Sequence, residues 1–113
     1  MELLLRLNGE VFLLDKGYRS TFEARQIEPV PEVPHGIRYS LTLLDRYNQR
    51  VLGFDNAHRV KTGKRRYGVW SQTWDHVHIG DKVKPYTFIS VINLMDEFWS
   101  MVEECISKDK RLS

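Results

Sequence analysis

Cysteine is almost missing from this chain. Cys105 stands alone, so no internal disulfide can form. That pattern fits a reducing compartment and leads to a cytoplasmic expectation. Long apolar runs are missing too. None approaches the roughly 18 residues needed to cross a bilayer, so no membrane is expected as a partner. The opening Met1-Glu2-Leu3-Leu4-Leu5-Arg6 is too short, and wrongly flanked, for a secretory leader. There is no internal repeat and no low-complexity tract. No glycine-rich phosphate loop is present: Lys61-Thr62-Gly63-Lys64 lacks the first glycine and the spacing of one. No Ser/His/Asp arrangement suggests nucleophilic catalysis, and no Cys/His cluster has zinc-finger spacing.

What remains is the composition of a globular chain. Of 113 residues, 42% are apolar and 28% charged, which excludes a disordered or collagen-like protein and implies one packed domain, 1–113. The net charge of +2 hides an uneven distribution. Arg59, Lys61, Lys64, Arg65, Arg66, Lys82 and Lys84 crowd one segment against only Asp75 and Asp81. Asp96, Glu97, Glu103 and Glu104 lie together near the C-terminus. A positive and a separate negative surface follow, and local asymmetry of this kind decides what a surface attracts.

Periodicity places the elements. Ile37, Tyr39, Leu41 and Leu43 alternate with Arg38, Ser40, Thr42 and Leu44, the period of a half-buried strand. Asp45 to Gln49 reads as a turn and Arg50 to Phe54 as the returning strand, ended by Asp55-Asn56. Another strand is expected from Tyr18 or Arg19 to about Glu28. Pro29, Pro31 and Pro34 then force an extended connector. Leu3 to Leu7 and Val11 to Leu14 read as strands hinged on Asn8-Gly9. Ser90 to Lys108 is expected to be a helix, with Val91, Leu94, Met95, Phe98, Val102, Cys105 and Ile106 on one apolar stripe and Ser90 as its N-cap. That stripe needs an apolar surface to cover. The expected fold is α+β: a mainly antiparallel sheet of about five to six strands under a long C-terminal helix.

Between Ala57 and Gly80 periodicity fails, and long aperiodic segments in small domains are commonly functional. Short strands remain possible at Gly68 to Trp74 and His76 to Ile79. The cations Arg59, Lys61, Lys64, Arg65 and Arg66 suit phosphates, with Lys82 and Lys84 beyond them. Tyr67, Trp70 and Trp74 are interleaved with them, and rings among cations suit stacked, unpaired bases, hence single-stranded RNA. The plain alternatives are a solvated loop and tryptophans that serve the core.

Asp75-His76-Val77-His78 carries the chemistry. On a strand His76 and His78 share a face, and two imidazoles can divide general base and general acid work near neutrality. One takes the 2′-hydroxyl proton while the other protonates the leaving 5′-oxygen. Asp55 would orient a histidine, and Arg66 would stabilise transition-state charge. No cofactor is expected on this reading. The same His-x-His spacing with Asp55 or Asp75 also suits a divalent metal, which gives an alternative, metal-dependent nuclease. A third reading is a non-catalytic binding module. His58 is a weaker candidate, and His35, in the proline-rich connector, has no chemical task. Cys105 reads as a core residue.

Several segments in order resemble the TumE-like toxins of prokaryotic type II toxin–antitoxin systems. They are Glu2 to Arg6, Pro34 to Leu41, Arg50 to Ala57, His76-Val77-His78, Tyr86-Thr87-Phe88 and Asp96 to Trp99. The resemblance implies a growth-inhibiting toxin acting as a ribonuclease on RNA. It also implies a cognate antitoxin with a helix-turn-helix DNA-binding domain; a homodimer is left open. Asp55, Asn56, His76, His78 and the aromatic pairs Tyr86/Phe88 and Phe98/Trp99 match by position. The chain departs from the pattern in an insert around Val60 to Thr73, which leaves His58 and His76 as rivals for the first histidine position.

Overall fold

The computed structural model describes residues 2–31, 33–56 and 75–110. Helix α1 spans Glu2–Arg6. It is followed by strands β1 (Val11–Leu13), β2 (Arg19–Gln26), β3 (Ile37–Leu44), β4 (Arg50–Asp55), β5 (His76–Ile79) and β6 (Lys82–Pro85), then helix α2 (Val91–Lys108). The six strands form one sheet in the order β1-β2-β3-β4-β5-β6, every pair antiparallel. The α+β architecture is the one expected.

Each pairing is set by local chemistry. The β3–β4 turn is held by the Asp45 carboxylate, which accepts from the amides of Tyr47 (2.8 Å) and Gln49 (3.0 Å), while Asn48 takes the left-handed conformation at φ 66°. A bulge between Leu43 and Leu44 leaves Val51 unpaired, so that Leu43 faces Leu52 and Leu44 faces Arg50. Gly80, at φ 62°, starts the two-residue turn that joins β5 to β6.

One face of the sheet is apolar. Phe22, Leu41, Phe54 and Val77 form a row across four strands. Over it α2 lays Val91, Leu94, Phe98 and Val102, all buried. Phe98 sits edge-on to Phe22 (5.5 Å) and Phe54 (6.0 Å), and Tyr86 meets Phe54 at 5.0 Å. Burying each such side chain contributes about 1.5–3 kcal/mol. The Ser90 hydroxyl caps α2 by accepting from the Asn93 amide at 3.0 Å. At the other end Lys16 Nζ donates to the carbonyls of Ile106 and Asp109, a cation where the helix dipole is negative.

The N-terminus departs from expectation. Glu2–Arg6 is a helix rather than a strand, and Asn8-Gly9 terminates it instead of closing a hairpin. The unbranched leucines favour a helix, Glu2 and Arg6 pair across one turn (3.6 Å), and only Leu4 needs to be buried. Gly9, at φ 86°, takes the left-handed conformation in the turn beyond it, and its amide donates to the Phe22 carbonyl at 2.7 Å. Lys82–Pro85 adds a strand that periodicity did not mark; it is an exposed edge, and proline and lysines suit an edge.

The opposite face of the sheet is polar. The row Glu23, Ser40, Asp55, His76, Pro85 runs across five strands, beside the row Thr21, Thr42, Gly53, His78, Val83.

Candidate active site

His76 and His78 do share a face of β5, as strand alternation requires, and Asp55 stands on the neighbouring strand directly opposite His76. All three are buried. Asp55 Oδ2 lies 3.1 Å from His78 Nε2, so the carboxylate engages the histidine diagonal to it rather than the one it faces. On the other side of the ring, His78 Nδ1 lies 3.4 Å from Arg50 Nη2. Arg50 donates to Nδ1, while Asp55 comes within charge contact of Nε2 but outside hydrogen-bond geometry. The imidazole centroids of His76 and His78 are 6.5 Å apart.

Gly53 explains how Arg50 gets there. It lies between Arg50 and Asp55 on β4 and faces His78. A Cβ placed on it would come within 3.3 Å of the Arg50 side chain, so the bare backbone is the bed on which that side chain lies. Three side-chain atoms of this site, Asp55 Oδ1, His76 Nδ1 and His78 Nε2, are buried with no hydrogen bond made among the described residues. Buried groups of this kind are nearly always satisfied in folded proteins, so three such atoms on one carboxylate and two histidines mark a place built for something else.

Asp75 belongs elsewhere. It precedes His76, so it points to the opposite face, where Tyr39 donates to its Oδ2 at 2.7 Å and His35 Nε2 lies 3.2 Å away. The ring of His35 stacks on Phe88 at 4.0 Å, and its Nδ1 accepts from the Ile37 amide at 3.3 Å. Burial, followed by the charge and hydrogen bond of Asp75, pushes the Tyr39 phenol far above its usual range, so it stays a donor. Burial also raises Tyr86, to about 12, with the carboxylates of Glu97 and Asp75 adding to it. This second network ties the start of β5 to the end of the proline-rich connector and to β3. His35 is thus a pinned residue of that network, and Asp75 is not at hand as a ligand beside His76 and His78.

Other expected residues fall into place differently. Lys82 and Lys84 pair with Ile79 and Val77, so they project from the helix-bearing face, away from the histidines. Tyr86, Phe88, Phe98 and Trp99 serve the packing around α2 and His35. Asn56 is fully buried and does strand work: its side chain accepts from the Tyr39 amide (2.9 Å) and donates to the Ile37 carbonyl (2.8 Å). His58, Arg59, Lys61, Lys64, Arg65, Arg66, Tyr67, Trp70 and Trp74 lie outside the described residues, as does the strand expected at 68–74. No three His, Cys, Asp or Glu side chains among the described residues group as a metal site; His76, His78 and Asp55 do not. Sequence reasoning missed Arg50 as the site's cation. A glycine inside a strand was the signal for Arg50, since it marks a close approach.

The family model described as Toxin TumE matches residues 2–106. No curated protein and no solved structure matches the chain.

Proposed function

The chain belongs to the TumE toxin family, and on that premise we propose that it is an endoribonuclease working by histidine acid–base chemistry. The observation that carries this reading is the chain of contacts Asp55–His78–Arg50, with the orphaned Nδ1 of His76 nearby. His78, with Asp55 3.1 Å from its Nε2, uses Nδ1 to take the proton of a 2′-hydroxyl. That oxygen attacks the adjacent phosphorus, the bond to the 5′-oxygen breaks, and His76 delivers a proton to the leaving oxygen. The products are a 2′,3′-cyclic phosphate and a 5′-hydroxyl. The two imidazoles, 6.5 Å apart at their centroids, lie close enough to address one phosphate from the same side. Arg50, held only loosely by His78 at 3.4 Å, turns to the phosphate and stabilises its added charge, the part first assigned to Arg66.

The reaction needs no cofactor on this reading and belongs in the cytoplasm, where RNA is available. No helix among the described residues is long and apolar enough to cross a membrane. A toxin implies an antitoxin that restrains it. The proposed one carries a helix-turn-helix domain and docks on the acidic outer face of α2, where Asp96, Glu97, Glu103 and Glu104 are exposed.

The test is cleavage of single-stranded RNA by the purified protein, with and without excess EDTA. Cyclic phosphate ends in both conditions are expected, with His76→Ala and His78→Ala each inactive. Intact RNA, or variants that cut as well as the parent, would sink the mechanism. Activity abolished by EDTA would replace it with a metal-dependent one.

A further inference from the structure

On the histidine-bearing face, toward the N-terminal edge of the sheet, lies a cavity of about 310 Å³. Its polar lining is Asn8, Glu23, Arg25, Arg38 and Ser40. Ser40 faces Asp55, and Asp55 faces His76, so cavity and histidine site lie on one continuous row. Arg25 and Arg38 are direct cross-strand partners. Arg25 has no ion pair among the described residues. Arg38 leans toward the histidine side, where its Nη1 donates to the carbonyl of Asn56 at 2.9 Å.

We infer that this cavity is a nucleotide subsite, in which Arg25 and Arg38 together hold a backbone phosphate of the RNA strand beyond the one being cut. The inference rests on the ribonuclease reading for its ligand. The volume is at the small end of ligand pockets and suits one nucleotide of a single strand rather than a duplex. Strands lie about 4.8 Å apart, which puts the arginine pair roughly 10–15 Å from His76, within reach of a further phosphate on an extended strand. Guanidinium forks match phosphate oxygens bidentately. Glu23, on the same face and opposite Ser40, accepts from a sugar hydroxyl or a base N–H of that nucleotide.

The experiment uses a single-stranded RNA oligonucleotide with 2′-O-methyl groups, which binds but cannot be attacked by its own 2′-oxygen. Its affinity for the parent and for Arg25→Gln is measured by fluorescence anisotropy over a salt series. Arg25→Gln is expected to weaken binding about tenfold and to lower the slope of log K against log salt by about 0.7, one phosphate contact. Arg25→Lys, which keeps the charge, recovers most of the slope. Arg25 is exposed, so the variants should unfold at the parent's urea midpoint. Unchanged affinity and slope in Arg25→Gln overturn the subsite. Cleavage of an unmodified dinucleotide, too short to reach the cavity, reads the histidine site alone. A parent that binds in the arginine-dependent manner but cuts nothing loses the ribonuclease reading and keeps the subsite. A parent that cuts, with Arg25→Gln binding normally, keeps the reading and loses the subsite.

Discussion

Replacing Asp55 by asparagine separates a catalytic carboxylate from a structural one. The side chain is 93% buried, with Oδ2 at 3.1 Å from His78 and Oδ1 without a partner among the described residues. A buried carboxylate with one oxygen unsatisfied is costly to the fold, by about 1–3 kcal/mol or more for a charged group. The contact with His78 offsets part of that. The amide keeps the shape and removes the charge, so the folded state should lose little and can gain; stability within about 1 kcal/mol of the parent is expected. Catalysis should behave otherwise. When His78 takes the substrate proton it becomes a cation, and a carboxylate at about 4 Å between charge centres stabilises it by about 4 kcal/mol at an effective dielectric of 20. That is about three powers of ten in rate, so single-turnover cleavage should fall about 10²- to 10⁴-fold. Urea unfolding and cleavage of a fluorogenic RNA, run on the same preparation, give both numbers. Cleavage within threefold of the parent refutes the argument. So does a stability loss above about 3 kcal/mol with activity falling in step, because Asp55 would then be a fold residue.

Three further outcomes follow from other contacts. Asn56→Ala removes a side chain that satisfies the Tyr39 amide and the Ile37 carbonyl, so two buried backbone groups are orphaned and the protein should lose about 2–5 kcal/mol by urea denaturation. Gly53→Ala places a Cβ 3.3 Å from the Arg50 side chain, displacing the guanidinium from His78; cleavage should fall about tenfold with the unfolding midpoint little changed. Tyr39 and Tyr86 are both raised by burial, so the fold favours their neutral forms. Their stabilising contribution is complete below the ordinary phenol value of 10.0 and is lost as pH rises toward and past about 12. Tyrosinate absorbance should therefore show these two phenols ionising together with unfolding as pH rises. Early ionisation of every tyrosine in a still-folded chain would contradict the packing.

Much of the scaffold was legible because its signals are local. Every second residue from Ile37 to Leu43 is buried, as the alternation demands, and the apolar stripe of α2 covers the sheet with Ser90 at its cap. Strand alternation alone put His76 and His78 on one face. Glu2–Arg6 was misread because a run of leucines fits a strand or a helix equally, and a short helix needs to bury only Leu4. The site's partners were not legible, because they depend on register between strands far apart in the chain. Nothing in the order of residues says that Asp55 faces His76 yet engages His78, or that Arg50 crosses Gly53 to reach the same ring. Nor does it say that Asp75, one residue from His76, turns to His35 and Tyr39 on the other side of the sheet. Periodicity decides which face a residue takes. Only the pairing of the strands decides whom it meets there, because the contacts that select one register are spread along the whole strand pair.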